Sequence, residues 1–224
     1  MQPWIHLGTA TVPGGSGELR LMRRGAEFVI MAGRIPLMNS RMSGSEEALA
    51  TMTAERLHGR VAQHWLIGGY GMGFTLRAAL AALGPRAKLT VAELVPEIVA
   101  WARGPMAELT AGCLDDPRVG VVMADVAELI ARARGAYDAI LLDVDNGPDG
   151  LVRPANGRLY TPAGLGAAKR ALKPGGVLAV WSAAQDAAFA RRLAKAGFAV
   201  DQVTVRARGN GKGARHTIWF AQAR

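Results

Sequence analysis

The chain has 224 residues, carries a formal charge of +9 and is 50% hydrophobic, which is enough apolar material for a core and excludes wholesale disorder. Glycine is in excess, at 28 residues, but without a three-residue period, so a collagen-like rod is excluded. A single cysteine, Cys113, rules out an internal disulfide and a thiolate cluster, and the four scattered histidines (His6, His58, His64, His216) give no zinc pair at helical spacing, so no metal is expected.

Residues 18–40, ELRLMRRGAEFVIMAGRIPLMNS, set short apolar runs between RRG and AGR and predict two or three antiparallel strands. Such a ribbon has to lean on a larger body. Residues 45–60 predict a helix capped by Ser45, with Glu46 and Glu47 near its positive end. The expected division is a small β unit over 1–44 and a main domain over 45–224.

From about residue 62, strands and helices alternate. HWLIGG (64–69) reads as a buried strand, FTLRAALAAL (74–83) as a helix, KLTVAEL (88–94) as the next strand. PEIVAWARGPMAEL (96–109) is helical from Pro96, with a kink or split expected at Gly104-Pro105. Then follow strand 119–125, helix 126–133, strand 137–145, helix 161–172, strand 175–183, helix 186–197 and strand 198–207. The last strand, 215–223, is separated from its predecessor only by RGNGKGA, too short for a crossover helix, so these two pair antiparallel. The prediction is an α/β fold: a seven-stranded, mostly parallel sheet with one antiparallel strand and helices on both faces, after a small N-terminal β unit.

No run reaches 18 consecutive apolar residues, so no membrane-spanning helix is expected, and MQPWIHLGTATVPGG lacks the basic start and apolar run of a signal peptide; a cytoplasmic location is the expectation. The basic residues are spread from Arg20 to Arg224, and the one mild concentration, Arg206, Arg208, Lys212 and Arg215, has no alternating aromatics, so nucleic acid is not the expected partner.

The sharpest local signal is LIGGYGMG (66–73). Gly69, Gly71 and Gly73 follow a strand and precede a helix, where glycine admits positive φ and close ligand approach. A dinucleotide pattern would want glycine at 74, where Phe74 stands, so the spacing fits a nucleoside-plus-amino-acid ligand better. Glu93 ends the second strand of the domain, where a carboxylate can accept from ribose hydroxyls, and Asp125 ends the third, where it can accept from an adenine amino group or simply cap the next helix. Three strand ends would then meet at one rim.

LIGGYGMG, VAELVPEIVAWAR, DDPRVGVVMAD, YDAILLDVDNGP and ALKPGGVLAVWS, in that order, resemble the spermidine synthase family over roughly residues 18–207. The resemblance implies the class I methyltransferase fold. It also implies an S-adenosyl ligand on the glycine turn (Gly69, Gly71), with Glu93 on its ribose and Asp125 on its adenine, and a catalytic aspartate at Asp143. Family members transfer an aminopropyl group from decarboxylated S-adenosylmethionine to a diamine, and often dimerise through the N-terminal strands.

Any transfer from a sulfonium needs an aligned acceptor and a carboxylate to orient and deprotonate it. Asp143 is the candidate, with Asp145 sharing its role or holding a second amine. Asn146, Tyr160 and Trp181 are the acceptor-side candidates. The turn-rich segment 146–160 is expected to cover the rim. The departures are specific. The family's turn aspartate is missing near Gly71, its Tyr-Gln pair is replaced within SEEALATM, and its Asp-Ser-Ser-Asp has become DVDNG. The charge of +9 also suits a cationic acceptor poorly. These losses make methyl transfer from S-adenosylmethionine to a small-molecule acceptor the leading expectation, ahead of aminopropyl transfer and of a non-catalytic binding or scaffold role.

Overall fold

The computed structural model describes residues 2–14, 17–144, 147–148 and 154–224. The main sheet grows from apolar runs too continuous to face water. β5 (His64–Gly68) and β8 (Tyr137–Leu142) lie at its centre, and Trp65, Leu66, Ile67, Ile140 and Leu141 are all fully buried. Burying each such side chain contributes roughly 1.5–3 kcal/mol. A strand covered on both faces has no need of polar alternation.

Seven strands run in the order β10-β11-β9-β8-β5-β6-β7, with β6 at Lys88–Glu93, β7 at Val119–Met123, β9 at Leu172–Ser182, β10 at Phe198–Arg206 and β11 at Arg215–Ala223. β5, β6, β7, β8 and β9 pair in parallel, whereas β11 runs antiparallel to both β9 and β10. The sheet is thus the seven-stranded, mostly parallel one expected, with one reversed strand, in the class I methyltransferase-like arrangement. Chain order turns outward in both directions from between β5 and β8, which opens a crevice at their C-terminal ends.

One face carries α1 (Gly44–Arg56), α2 (Phe74–Ala82) and α3 (Pro96–Arg103), packed over a core that includes Trp65, Ile67, Leu141, Ala179 and Phe220. The other carries α5 (Val126–Arg132), α6 (Pro162–Ala171) and α7 (Ala187–Lys195) over Leu66, Ile140, Leu142, Val180 and Trp219. Three of these helices start on the caps their sequences offer: Asp125 accepts from the amide of Ala127, Thr161 from Gly164 and Asp186 from Phe189. The predicted break at Gly104-Pro105 splits one helix into α3 and the short α4 (Ala107–Thr110), because the residue before proline avoids helical geometry. Ser45 does not cap α1; it lies within the helix and its hydroxyl points elsewhere.

The N-terminal unit is a four-stranded antiparallel sheet, β1 (Ile5–Thr11), β2 (Glu18–Arg24), β3 (Glu27–Ala32) and β4 (Ile35–Asn39), in sequential order. β1 was not among the predicted strands, since IHLGTAT has weak alternation and a mid-strand glycine. Gly8 is required by packing: a Cβ there would come within 2.6 Å of the Trp101 indole nitrogen on α3. Ala10, Leu19, Leu21, Phe28 and Ile30 of this sheet join the same core as α1 and α2.

Candidate active site

The crevice at the strand ends opens into a cavity of about 150 Å³. Its floor is Gly69 and Gly71 of the turn after β5, with Glu93, Asp125 and Asp143 after β6, β7 and β8; Val12, Leu19, Ile30, Leu37 and Met38 of the N-terminal sheet form an apolar roof. Three carboxylates predicted from separate strand ends therefore reach one rim, because parallel strands end on the same side of the sheet.

The turn itself is built on left-handed backbone. Gly69, Gly71 and Gly73 have φ of 83°, 56° and 79°. At Gly69 a Cβ would come within 2.5 Å of the carbonyl oxygen of Asp143, so the turn and the Asp143 backbone touch. A side chain at Gly71 would meet the Met38 thioether, with the sulfur at 2.6 Å. Met38 therefore stands where the family's missing turn aspartate would need room. Tyr70 tucks its ring beneath the turn, its hydroxyl 3.3 Å from the buried Cys113 thiol.

Glu93 is 7% exposed and tightly held: Oε2 accepts from the amide of Tyr70 at 2.9 Å, and Oε1 from the amides of Leu94 at 2.7 Å and Val95 at 2.9 Å. Of roughly four lone-pair directions on a carboxylate, three are in use, leaving one on Oε2 for a hydroxyl donor. Asp125 divides its oxygens. Oδ1 caps α5 and Oδ2 makes an ion pair at 2.8 Å with Arg158, on the 3-10 turn Pro154–Tyr160. An adenine amino group would share that second oxygen with Arg158, a residue the sequence reading did not single out.

Asp143 lines the cavity, and its Oδ2 accepts from the Thr75 hydroxyl at 3.0 Å. Burial pushes its carboxyl up to about 6, opposed by the Thr75 bond. The group facing it was read only as a helix-end charge. Glu46, at the start of α1, is pushed up to about 8, first by burial and then by the Asp143 charge. The Ser45 hydroxyl lies 2.7 Å from Glu46 Oε2 and 2.8 Å from Nδ1 of His216 on β11, and His216 packs edge-on to Trp181 at 4.8 Å between ring centres. Period-two alternation along β9 and β11 is what sets Trp181 and His216 on the α1 face. Only the tertiary pairing of α1 with β8 and β11 brings Glu46 into this group; no spacing signal in the sequence could have found it.

The remaining acceptor-side residues are dispersed. Tyr160 is buried in the other core, its ring edge-on to Phe189 at 5.6 Å, and is not among the residues lining the cavity. Trp181 does not line it either; its indole nitrogen is buried without a hydrogen bond among the described residues. Asp145 and Asn146 lie outside the described residues, as does the middle of the predicted covering segment, 149–153. From its far end, Asn156 does line the cavity.

Residues 46–195 match the family described as Spermine/spermidine synthase domain. Relatives include the polyamine aminopropyltransferase of Mycobacterium tuberculosis, 35% identical over 118 residues (51% of this chain, 22% of the relative). Polyamine aminopropyltransferase 1 of Streptomyces coelicolor is 37% identical over 119 residues, 52% of this chain and 22% of that one. The chain thus matches about a fifth of the length of these curated relatives. Among solved structures, a spermidine synthase from Thermotoga maritima superposes with a TM-score of 0.74 at 20% identity, covering 98% of this chain and 73% of that one. One in complex with the transition-state analogue AdoDATO gives 0.73 at 19% identity, covering 98% and 72%. These last two show the shared fold.

The expectation of methyl transfer is overturned by the family match and by relatives that are aminopropyltransferases. Its basis was the loss of acceptor-side side chains. That loss bears on the acceptor side and is silent on which carbon beside a sulfonium is transferred. With the match running from α1 into α7 on this strand order, the chain belongs to the spermine/spermidine synthase domain family of transferases.

Proposed function

We propose that the chain transfers an aminopropyl group from decarboxylated S-adenosylmethionine to a small amine. The observation that carries this reading is the charge of the cavity. Glu93, Asp125 and Asp143 line it, and among the described residues no lysine, arginine or histidine does. The carboxylate of intact S-adenosylmethionine would find near the cavity Arg158, whose charge is already paired with Asp125 at 2.8 Å, whereas a decarboxylated donor brings only positive charge.

The donor supplies a carbon activated by a neighbouring sulfonium. The chain's part is to bind, orient and deprotonate. Gly69 and Gly71 allow close approach of the nucleoside, Glu93 offers Oε2 to a ribose hydroxyl, and Asp125 with Arg158 faces the base. The apolar roof of Leu37 and Met38 keeps water from the reactive carbon. An alkylamine is an ammonium at neutral pH and cannot attack until it loses a proton. Asp143 is placed to receive it. The freed nitrogen lone pair then forms the C–N bond as the C–S bond breaks, the electron pair going to sulfur. Asp145 and Asn146 belong to the acceptor side of this reading. β1 leaves its outer edge unpaired, with Ile5 and Leu7 exposed, and is the edge we assign to a homodimer contact.

Calorimetry with the two donors tests the proposal. Decarboxylated S-adenosylmethionine is expected to bind at least about tenfold more tightly than the intact form, a difference of about 1.4 kcal/mol. Asp143→Asn is expected to lower turnover with a diamine by about 100-fold or more while changing donor affinity far less. Tighter binding of the intact donor, or full turnover by the variant, would overturn the reading.

A further inference from the structure

The buried polar groups behind Asp143 form a continuous line that the transfer step does not itself require. Ser45 is fully buried, yet its hydroxyl touches both Glu46 and His216. His216 is half-buried, so part of the residue reaches solvent. The 2.7 Å and 2.8 Å contacts fit either direction of proton donation: His216 to Ser45 to Glu46, or Glu46 to Ser45 to His216.

We propose that Glu46, Ser45 and His216 form a proton exit for the active site, with Glu46 holding a proton that leaves through Ser45 and His216 when Asp143 takes one from the acceptor amine. The inference rests on the aminopropyl-transfer reading. Asp143 and Glu46 are like charges in a poorly solvated place, so the pair holds one proton in common, and at rest it sits on Glu46. When the acceptor ammonium gives its proton to Asp143, the Asp143 repulsion that adds to burial in holding the proton on Glu46 disappears. Glu46 then releases its proton to the Ser45 oxygen, the Ser45 hydroxyl proton passes to His216 Nδ1, and a proton leaves from Nε2. One proton enters from the amine and one leaves at His216, with no change in electron count. Burial lowers the affinity of His216 for a proton, which keeps Nδ1 free to accept and makes the ring a transient carrier. The groups facing the Glu46 carboxyl are Asp143 after β8, Glu47 on its own helix and, through Ser45, His216 on β11, while the Thr75 hydroxyl from α2 reaches the Asp143 carboxylate and the Glu46 main-chain carbonyl.

Two measurements test this, and the first needs no turnover. The ring nitrogens of His216, followed by NMR between pH 5 and 9, are expected to show an inflection from Glu46 that disappears in Glu46→Gln and in Ser45→Ala. A His216 titration identical in all three proteins would overturn the relay. In the second, Ser45→Ala is expected to lower kcat about tenfold near pH 7, with the donor KM unchanged and the pH dependence of kcat altered as in Glu46→Gln. A wild-type pH profile in Ser45→Ala would also overturn it. If the wild-type protein transfers no aminopropyl group to any diamine, the functional reading fails, and the NMR titration still decides whether the relay exists.

Discussion

At the scale of single residues, Glu46 and Asp143 oppose the stability they would have as ordinary carboxylates. Burial raises both, and Glu46 is raised further by the Asp143 charge. A folded carboxyl that keeps its proton above the unfolded value of about 4.5 binds more protons folded than unfolded between that pH and about 8. Stability therefore falls as pH rises through this window, with a slope of at most about 1.4 kcal/mol per pH unit per group, reduced by screening because Glu46 is only half-buried. Glu46→Gln removes that slope. Urea midpoints at pH 5 and pH 8 should show the variant gaining on the wild type at the higher pH; parallel behaviour of the two would mean that the pair is not strained. Glu93, by contrast, accepts hydrogen bonds from three backbone amides. The same residue type thus serves as an anchor after β6 and as a proton holder on α1, and the environment alone makes the difference.

At the scale of elements, the two ends of β8 divide the work. Its C-terminal end delivers Asp143 to the crevice. Its N-terminal end carries Asp138, 4% exposed, which accepts from Lys173 Nζ at 2.7 Å, the His64 amide at 2.8 Å and Arg60 Nη1 at 2.9 Å. Burial alone would raise its carboxyl, but those donors outweigh it and hold it below the usual range. Asp138 therefore joins β5, β8 and the start of β9 at the end of the sheet away from the ligand. Asp138→Ala is expected to cost roughly 2–3 kcal/mol by leaving these donors unanswered, with donor affinity of the folded protein intact. Chemical denaturation paired with donor titration checks this, and a loss of donor binding without a loss of stability would contradict it. The glycine turn makes the complementary point at the other end. Gly69 touches the Asp143 backbone and Gly71 touches Met38, so the turn after β5 sets the spacing between itself, the end of β8 and the apolar roof.

At the scale of the whole molecule, an acidic cavity sits in a chain of net charge +9. A cation is repelled by this charge distribution at a distance and attracted close in. Salt screens the long-range repulsion first, since the Debye length falls from about 30 Å at 0.01 M to about 8 Å at 0.15 M. kcat/KM for a diamine is expected to rise roughly two- to fivefold over that range, as steering effects do at their modest end. A fall with salt would mean that the field at the mouth is negative. Much of this architecture was legible in sequence: the β5–β9 strands from apolar runs, the α3/α4 break from Gly104-Pro105, and the shared rim of Glu93, Asp125 and Asp143 from strand ends that must point one way. β1 escaped because its pattern is weak and its place is decided by Trp101. Arg158 and Glu46 escaped because their partners, Asp125 and Asp143, are distant in the chain. The sequence by itself determined the order of elements and which of their ends could face a ligand, since hydrophobic period and turn chemistry are local. Only the tertiary structure decided which charges meet, because burial and like-charge contact arise when α1, β8 and β11 close on one another and cannot be read from any one of them.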